Sequence, residues 1–146
     1  MLKDAYLLIE EDNVYDGKPE KILVIIHPKS KFKEGFCISW EKGFMLLAKM
    51  GLTGSEYNIL LIIIAQMEYE NICYVTQSYL SKETGISQPH ISKHINRMVK
   101  LGILSKENTD RGRALRVSSI FVWKGNKDRA FKQAFLRDSE NFIMPE

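Results

Sequence analysis

The sequence predicts an α+β fold on three observations. Extended segments punctuated by turns fill the chain up to about Trp40. The helix start Thr53-Gly54-Ser55-Glu56 then opens the most apolar stretch. Two short amphipathic segments follow and lead into a polar, arginine-bearing hairpin. At 146 residues, 45% apolar and 10% aromatic, the chain has enough material to bury a core. Three regions are drawn: a strand-rich region over 1–40, a central domain over 41–125, and a helix with its tail over 126–146.

In the first region Ala5 to Glu10, Ile22 to His27 and Phe36 to Trp40 read as strands. Asp16-Gly17-Lys18-Pro19, His27-Pro28-Lys29-Ser30 and Glu34-Gly35 read as the turns between them. A short helix follows at Glu41 to Lys49, with Phe44, Leu47 and Ala48 at helical spacing and Gly51 ending it. Thr53 and Glu56 form a capping box, so a long helix runs from Gly54 to about Met67. Its apolar residues cover nearly the whole circumference, which predicts the central core helix, with one flank open to a subunit interface. Tyr74-Val75-Thr76 reads as a brief strand.

The stretch from Gln77 to Met98 meets each geometric requirement of a helix-turn-helix. A first helix, Ser78 to Thr84, buries Tyr79 or Leu80 and stops at Gly85, which can take the left-handed conformation a sharp turn needs. Ile86 plugs the angle between the helices. Ser87 caps a second helix that runs from Gln88 to Leu101, and Pro89 sits in its first turn, where a missing amide hydrogen costs nothing. Ile91, Ile95, Met98 and Val99 share one face of that helix. The other side carries amides, hydroxyls and cations and no acidic residue. After Leu101-Gly102-Ile103-Leu104, two strands around Asp110-Arg111-Gly112-Arg113 make a hairpin wing.

This order of elements, helix, strand, helix, helix, hairpin, is that of a winged helix-turn-helix, here with an N-terminal strand-rich extension and a C-terminal helix. Its expected partner is double-stranded DNA, with the second helix in the major groove. Gln88, Pro89, His90, Lys93 and His94 are the candidates for contact at or near base edges, because N-terminal residues of such a helix reach deepest. Ser92, Arg97 and Lys100 are the phosphate candidates. Arg111 and Arg113 project from the wing tip toward an adjacent minor groove. Gln77, Ser87 and Asn96 complete the set. Charge agrees: from Gln77 to Lys124 nine basic residues face three acidic ones, a local charge of +6 in a chain whose net charge is +3. A module of the same shape serving a protein partner is the alternative.

Leu52-Thr53-Gly54-Ser55-Glu56-Tyr57, Thr84-Gly85-Ile86-Ser87 with Ile91-Ser92 and Ile95, Leu101-Gly102-Ile103-Leu104 and the closing Phe121-Val122-Trp123-Lys124-Gly125 stand in an order that resembles the replication protein L family of Gram-positive plasmids. Many members carry an Asn-Pro pair before that last strand, where this chain has Val117-Ser118-Ser119-Ile120. The central part also resembles multiple-antibiotic-resistance-type winged-helix regulators. The first resemblance implies binding to repeats at a plasmid origin and contact with replication machinery. The second implies a transcriptional regulator at promoter DNA.

Other functions find few residues. A nicking enzyme would need paired histidines on a strand, and His27 has none two residues away. His90 and His94 have helical metal spacing but lack the glutamate of a His-Glu-x-x-His pattern and a nearby Cys or Asp, so no metal site is expected. No glycine-rich phosphate loop occurs, and neither enzymatic activity nor a cofactor is expected. Aromatic residues of the N-terminal part (Tyr6, Tyr15, Phe32, Phe36, Trp40, Phe44) read as core rather than as an effector pocket. Cys37 and Cys73 form no metal-type pair and read as reduced core thiols. The longest apolar run, Ile59 to Ala65, is far shorter than the roughly 20 residues a bilayer span needs, and the opening residues lack a signal-peptide pattern, so a cytoplasmic protein without membrane contact is expected. A homodimer is expected because one winged helix reads only a few base pairs. The last segment, Asn126 to Phe142, reads as a helix capped by Asn126, with Ala130, Phe131, Ala134 and Phe135 on one face for packing or dimerisation.

Overall fold

The structure is a computed structural model and describes residues 14–15, 18–19, 22–24, 37–125 and 129–142. The expected strand Ala5 to Glu10, the turns about Pro28 and Gly35, and the Asn126 cap lie outside these residues; of the expected turn Asp16 to Pro19, Lys18–Pro19 instead form a strand paired with Val14–Tyr15. The order is β1 (Val14–Tyr15), β2 (Lys18–Pro19), β3 (Ile22–Val24), β4 (Ile38–Trp40), α1 (Glu41–Lys49), α2 (Gly54–Gln66), a single 3-10 turn (Tyr69–Asn71), β5 (Ile72–Cys73), α3 (Gln77–Thr84), α4 (Gln88–Lys100), β6 (Leu104–Thr109), β7 (Gly112–Val117), β8 (Val122–Trp123) and α5 (Arg129–Asn141). The fold is α+β, as the sequence predicts.

The strands pair antiparallel in three small sheets: β1 with β2, then β3-β4-β8, then β5-β7-β6. In the second sheet Ile38 lies opposite Trp123 and Ser39 opposite Val122, so the chain's early strands close on its last one. Ser39 Oγ donates to the Phe121 carbonyl at 2.9 Å and Trp40 Nε1 to the Ile120 carbonyl at 2.5 Å. Helix α1 lies against the same turn through Gly43, whose missing Cβ would stand 2.7 Å from the Ile120 oxygen and 3.1 Å from Phe121 Cα. Only a residue without a side chain permits that approach.

Helix α2 starts where the capping box puts it: Thr53 Oγ1 accepts the Glu56 amide at 3.2 Å, and the Glu56 carboxylate accepts the Thr53 amide at 2.9 Å. Ile59, Leu60 and Ile63 of α2 pack with Leu80 of α3, Ile91, Ile95 and Met98 of α4, and Ile103, Leu104 and Val117 at the base of the wing. The core therefore sits beneath the helix pair and holds it from behind. The flank of α2 that carries Leu61 is exposed, in line with its apolar residues covering more of the circumference than one contact face needs.

Two expected elements shift. The brief strand is Ile72–Cys73, not Tyr74 to Thr76, because Thr76 is taken as the cap of α3, its Oγ1 accepting the Tyr79 amide at 3.1 Å. Asn71, just before the strand, is fully buried at φ +64 and stitches three strands together. Its Nδ2 donates to the Val117 and Val122 carbonyls, and its Oδ1 accepts the Lys124 amide. Asn tolerates that left-handed backbone, and no apolar residue could satisfy those groups. The C-terminal helix is Arg129–Asn141, and its Phe131 ring packs edge-on to Trp40 and tilted against Trp123, each at 5.4 Å. Of the two cysteines Cys73 is buried and Cys37 half-buried; both are free, and burial pushes both thiols up from their ordinary range. Among the described residues no helix is long and apolar enough to cross a membrane.

Candidate nucleic-acid interface

Helices α3 and α4 meet at a turn fixed by local bonds. Gly85 is left-handed at φ +73, and its amide returns to the Ser81 carbonyl. Ser81 Oγ donates to the Ile86 carbonyl at 2.6 Å, and the Ile86 amide donates to Thr84 Oγ1 at 3.2 Å. Ile86 packs half-buried against the core. Helix α3 begins at Gln77, one residue before the expected start. Helix α4 ends at Lys100, one residue before the expected end, with Leu101 as its cap. Ser87 holds the N-cap position of α4, but its hydroxyl bonds His90 Nδ1 at 3.1 Å rather than a backbone amide, and Pro89 lies in the first turn.

The inner face of α4 is buried through Ile91, Ile95 and Met98, with Val99 half-buried beside them. The outer face leaves Gln88, Pro89, His90, Lys93, Asn96, Arg97 and Lys100 exposed and Ser92 and His94 half-buried. Ser92, Lys93, Arg97 and Lys100, with Thr53 and Glu56, line a groove along this helix. The described residues thus bring nine of the predicted contacts onto one helix face. Ser87 is exposed at its start, Gln77 is exposed at the start of α3, and Arg111 and Arg113 are exposed at the wing. The wing strands pair from Leu104↔Val117 to Thr109↔Gly112, so the tip is the two residues Asp110 and Arg111.

Several predicted cations are tied to partners the sequence did not announce. Glu56 is 1% exposed, and its carboxylate takes His94 Nδ1 at 3.2 Å on one oxygen and the Arg97 guanidinium on the other. Arg97 also donates to the Gly51 carbonyl at 3.2 Å, leaving 45% of its side chain exposed. Burial pushes the Glu56 carboxyl up, but the Thr53 amide, His94 and Arg97 outweigh it and hold the carboxyl below the usual range. Arg111 donates to both Glu68 oxygens at 2.9 Å and lies over the Tyr74 ring, 4.0 Å from its centre. Tyr74 in turn bonds Thr109 at 2.9 Å, so the wing tip is braced against the segment after α2. Lys106 Nζ donates to Asn96 Oδ1 at 2.8 Å, joining wing and helix.

Two of the nine cations do not belong to the polyanion face. Arg116 is buried and paired with Asp138 and Glu107, and Lys124 Nζ is turned inward to the Met67 carbonyl. Sequence alone counted them because charge is visible and burial is not. Glu56, Glu68 and Tyr74 were missed as parts of the site. Glu56 had announced itself only as the partner of Thr53, and nothing local marks a contact 38 residues away.

Residues 50–104 match a family model described as a helix-turn-helix domain. No curated protein matches the chain. Among solved structures, a transcriptional regulator from Thermotoga maritima is 18% identical at a TM-score of 0.38, over 68% of this chain and 61% of its own. A multiple antibiotic-resistance repressor (MarR) from Listeria monocytogenes is 14% identical at 0.37, over 68% of this chain and 58% of its own. The chain thus spans less than two thirds of either regulator. The sequence, the geometry and the family model agree on a helix-turn-helix domain within 50–104, and the geometry adds the hairpin wing of β6 and β7 in an α+β fold.

Proposed function

We propose that the protein is a sequence-specific double-stranded DNA-binding regulator that places α4 in the major groove and performs no chemistry of its own. The observation that carries this is the outer face of α4, which exposes Gln88, His90, Lys93, Asn96, Arg97 and Lys100, is free of acidic residues and starts at a cap whose side chain bonds no backbone amide. Gln88, Pro89, His90, Lys93 and His94 take the base-proximal positions. Ser92, Arg97 and Lys100 grip phosphates, with Gln77, Ser87 and Asn96 at the margins. Arg111, held over the Tyr74 ring, and Arg113 address the next minor groove. A homodimer on a repeated site supplies the length of readout that one such module lacks.

The biological site has two readings. Regulation at a promoter needs nothing beyond the helix-turn-helix and wing. Binding to origin repeats on a plasmid, with contact to replication machinery, is supported by the motif order that ends in β8, where Val122–Trp123 completes the second sheet. The test is selection of bound fragments from source DNA at two salt concentrations, with Arg97→Ala as control. Enriched promoters favour the first reading and enriched origin repeats the second. Arg97→Ala and Arg111→Ala should weaken binding to all duplexes and lower the salt slope by about one each, whereas Gln88→Ala should mainly reduce discrimination. Binding unchanged in all three variants would remove α4 from the groove.

A further inference from the structure

His94 sits on α4 with Nδ1 3.2 Å from Glu56 Oε1. An ionised carboxylate has no proton to give, so Nδ1 must be the donor of that bond. In a neutral imidazole this commits the single ring proton to Nδ1 and leaves Nε2 with a free lone pair. The other Glu56 oxygen already receives the Thr53 amide and the Arg97 guanidinium. Nε2 has no hydrogen-bond partner among the described residues, and the half-buried ring lines the groove beside α4.

Of the rest of that face, Gln88, His90 and Ser92 can donate or accept, and the cations and Asn96 are left as donors. Lys93, Arg97 and Lys100 can only donate. Asn96 has its carbonyl oxygen occupied by Lys106, so its amide NH2 is what it has left to offer. Phosphate oxygens, guanine N7 and O6, and thymine O4 are all acceptors and suit those groups. A bare Nε2 suits none of them.

We propose that buried Glu56 makes His94 a hydrogen-bond acceptor toward DNA, so that the recognition helix favours a base-edge donor, adenine N6 or cytosine N4, at the position His94 meets. This rests on the DNA-binding reading above. Glu56 touches no DNA in it; it is a positioning residue that sets the polarity of the residue that does.

The experiment joins two readouts on the full chain at about pH 8, where free imidazole is neutral. Nitrogen-15 correlation spectra report which ring nitrogen of His94 carries the proton. Selection from a randomised duplex pool reports base preference, for the wild type, His94→Ala and Glu56→Gln. Gln keeps an acceptor for the capping box while removing the charge that fixes the ring. The wild type should show the Nδ1–H form and, at one position, an enrichment of adenine or cytosine of about fivefold that His94→Ala abolishes. Glu56→Gln should mix the two ring forms and flatten that position alone, leaving preferences elsewhere in the site. An Nε2–H ring in the wild type overturns the proposal, as does a His94-dependent preference that persists when the exocyclic amino group of that pair's adenine or cytosine is deleted, in duplexes carrying purine or pyrimidin-2-one there. An Nδ1–H ring in a protein with no salt-sensitive, Arg97-dependent binding overturns the DNA reading itself, and base reading by His94 falls with it.

Discussion

Asp138 accepts two hydrogen bonds from Arg116 at 3.0 and 2.8 Å, one from the Ser119 amide at 2.8 Å and one from the Ser119 hydroxyl at 2.6 Å, while only 6% exposed. Arg116, itself nearly buried, spends its Nε on Glu107. Removing one member of such a pair leaves the other desolvated and unmatched, which costs far more than the pair contributes in place. Asp138→Ala should therefore lower stability by about 3 kcal/mol in urea unfolding, and Asp138→Asn by less, because its oxygen still accepts from Ser119. A loss of Asp138→Ala below about 1 kcal/mol would mean that Arg116 swings out to water. Arg116 reads in the sequence as one more surface cation, since its partner lies 22 residues on, in helix α5. Asp138 reads as one polar residue of an amphipathic helix. Neither residue's local pattern differs from that of a solvated one, so the pair is legible only once α5 and the wing sheet are brought together.

At the scale of elements, α4 is legible because every signal that defines it is local: Gly85 at a left-handed turn, Ser87 and Pro89 at the start, and apolar residues at helical period. Helix α1 is legible for the same reason and has the predicted bounds, Glu41–Lys49. Strand β5 is not. Tyr74-Val75-Thr76 has the better strand composition, yet the ladder forms at Ile72↔Arg116 and Cys73↔Leu115, because pairing with β7 and the cap of α3 decide its place. The seat of α1 was equally hidden, since Gly43 gives no turn signal and earns its place through a backbone carbonyl 77 positions later, at Ile120. That carbonyl also accepts Trp40 Nε1, so it cannot retreat without breaking a second bond. Gly43→Ala should cost about 1–3 kcal/mol despite the higher helix propensity of alanine, read as a fall in the urea midpoint. Gly54→Ala, at a helix start with open space around it, is the matched control and should be near neutral. Equal effects at the two positions would remove the close-packing account.

For the whole molecule, two buried carboxylates clamp parts that are distant in sequence. Glu56 ties the start of α2 to α4, and Asp138 ties α5 to the wing sheet. Burial raises both carboxyls, but the hydrogen bonds and the arginine beside each outweigh it and leave both below the ordinary range. A carboxyl depressed in the folded state contributes stability that is present above its unfolded pKa, near 4, and is lost as pH falls through its lower folded value. Unfolding temperature should therefore hold level from about pH 7 to 5 as far as these two groups are concerned and fall below about pH 4. The double variant Glu56→Gln, Asp138→Asn should start lower at neutral pH and lose less on acidification, so that the two curves converge in acid. Because Glu56 sits behind α4 and Asp138 behind the wing, each single variant should carry part of the convergence, and the two parts should add, since the carboxylates share no partner. Parallel curves down to about pH 3 would place the acid sensitivity in other carboxylates and deny both clamps their role in holding helix, wing and C-terminal helix as one body.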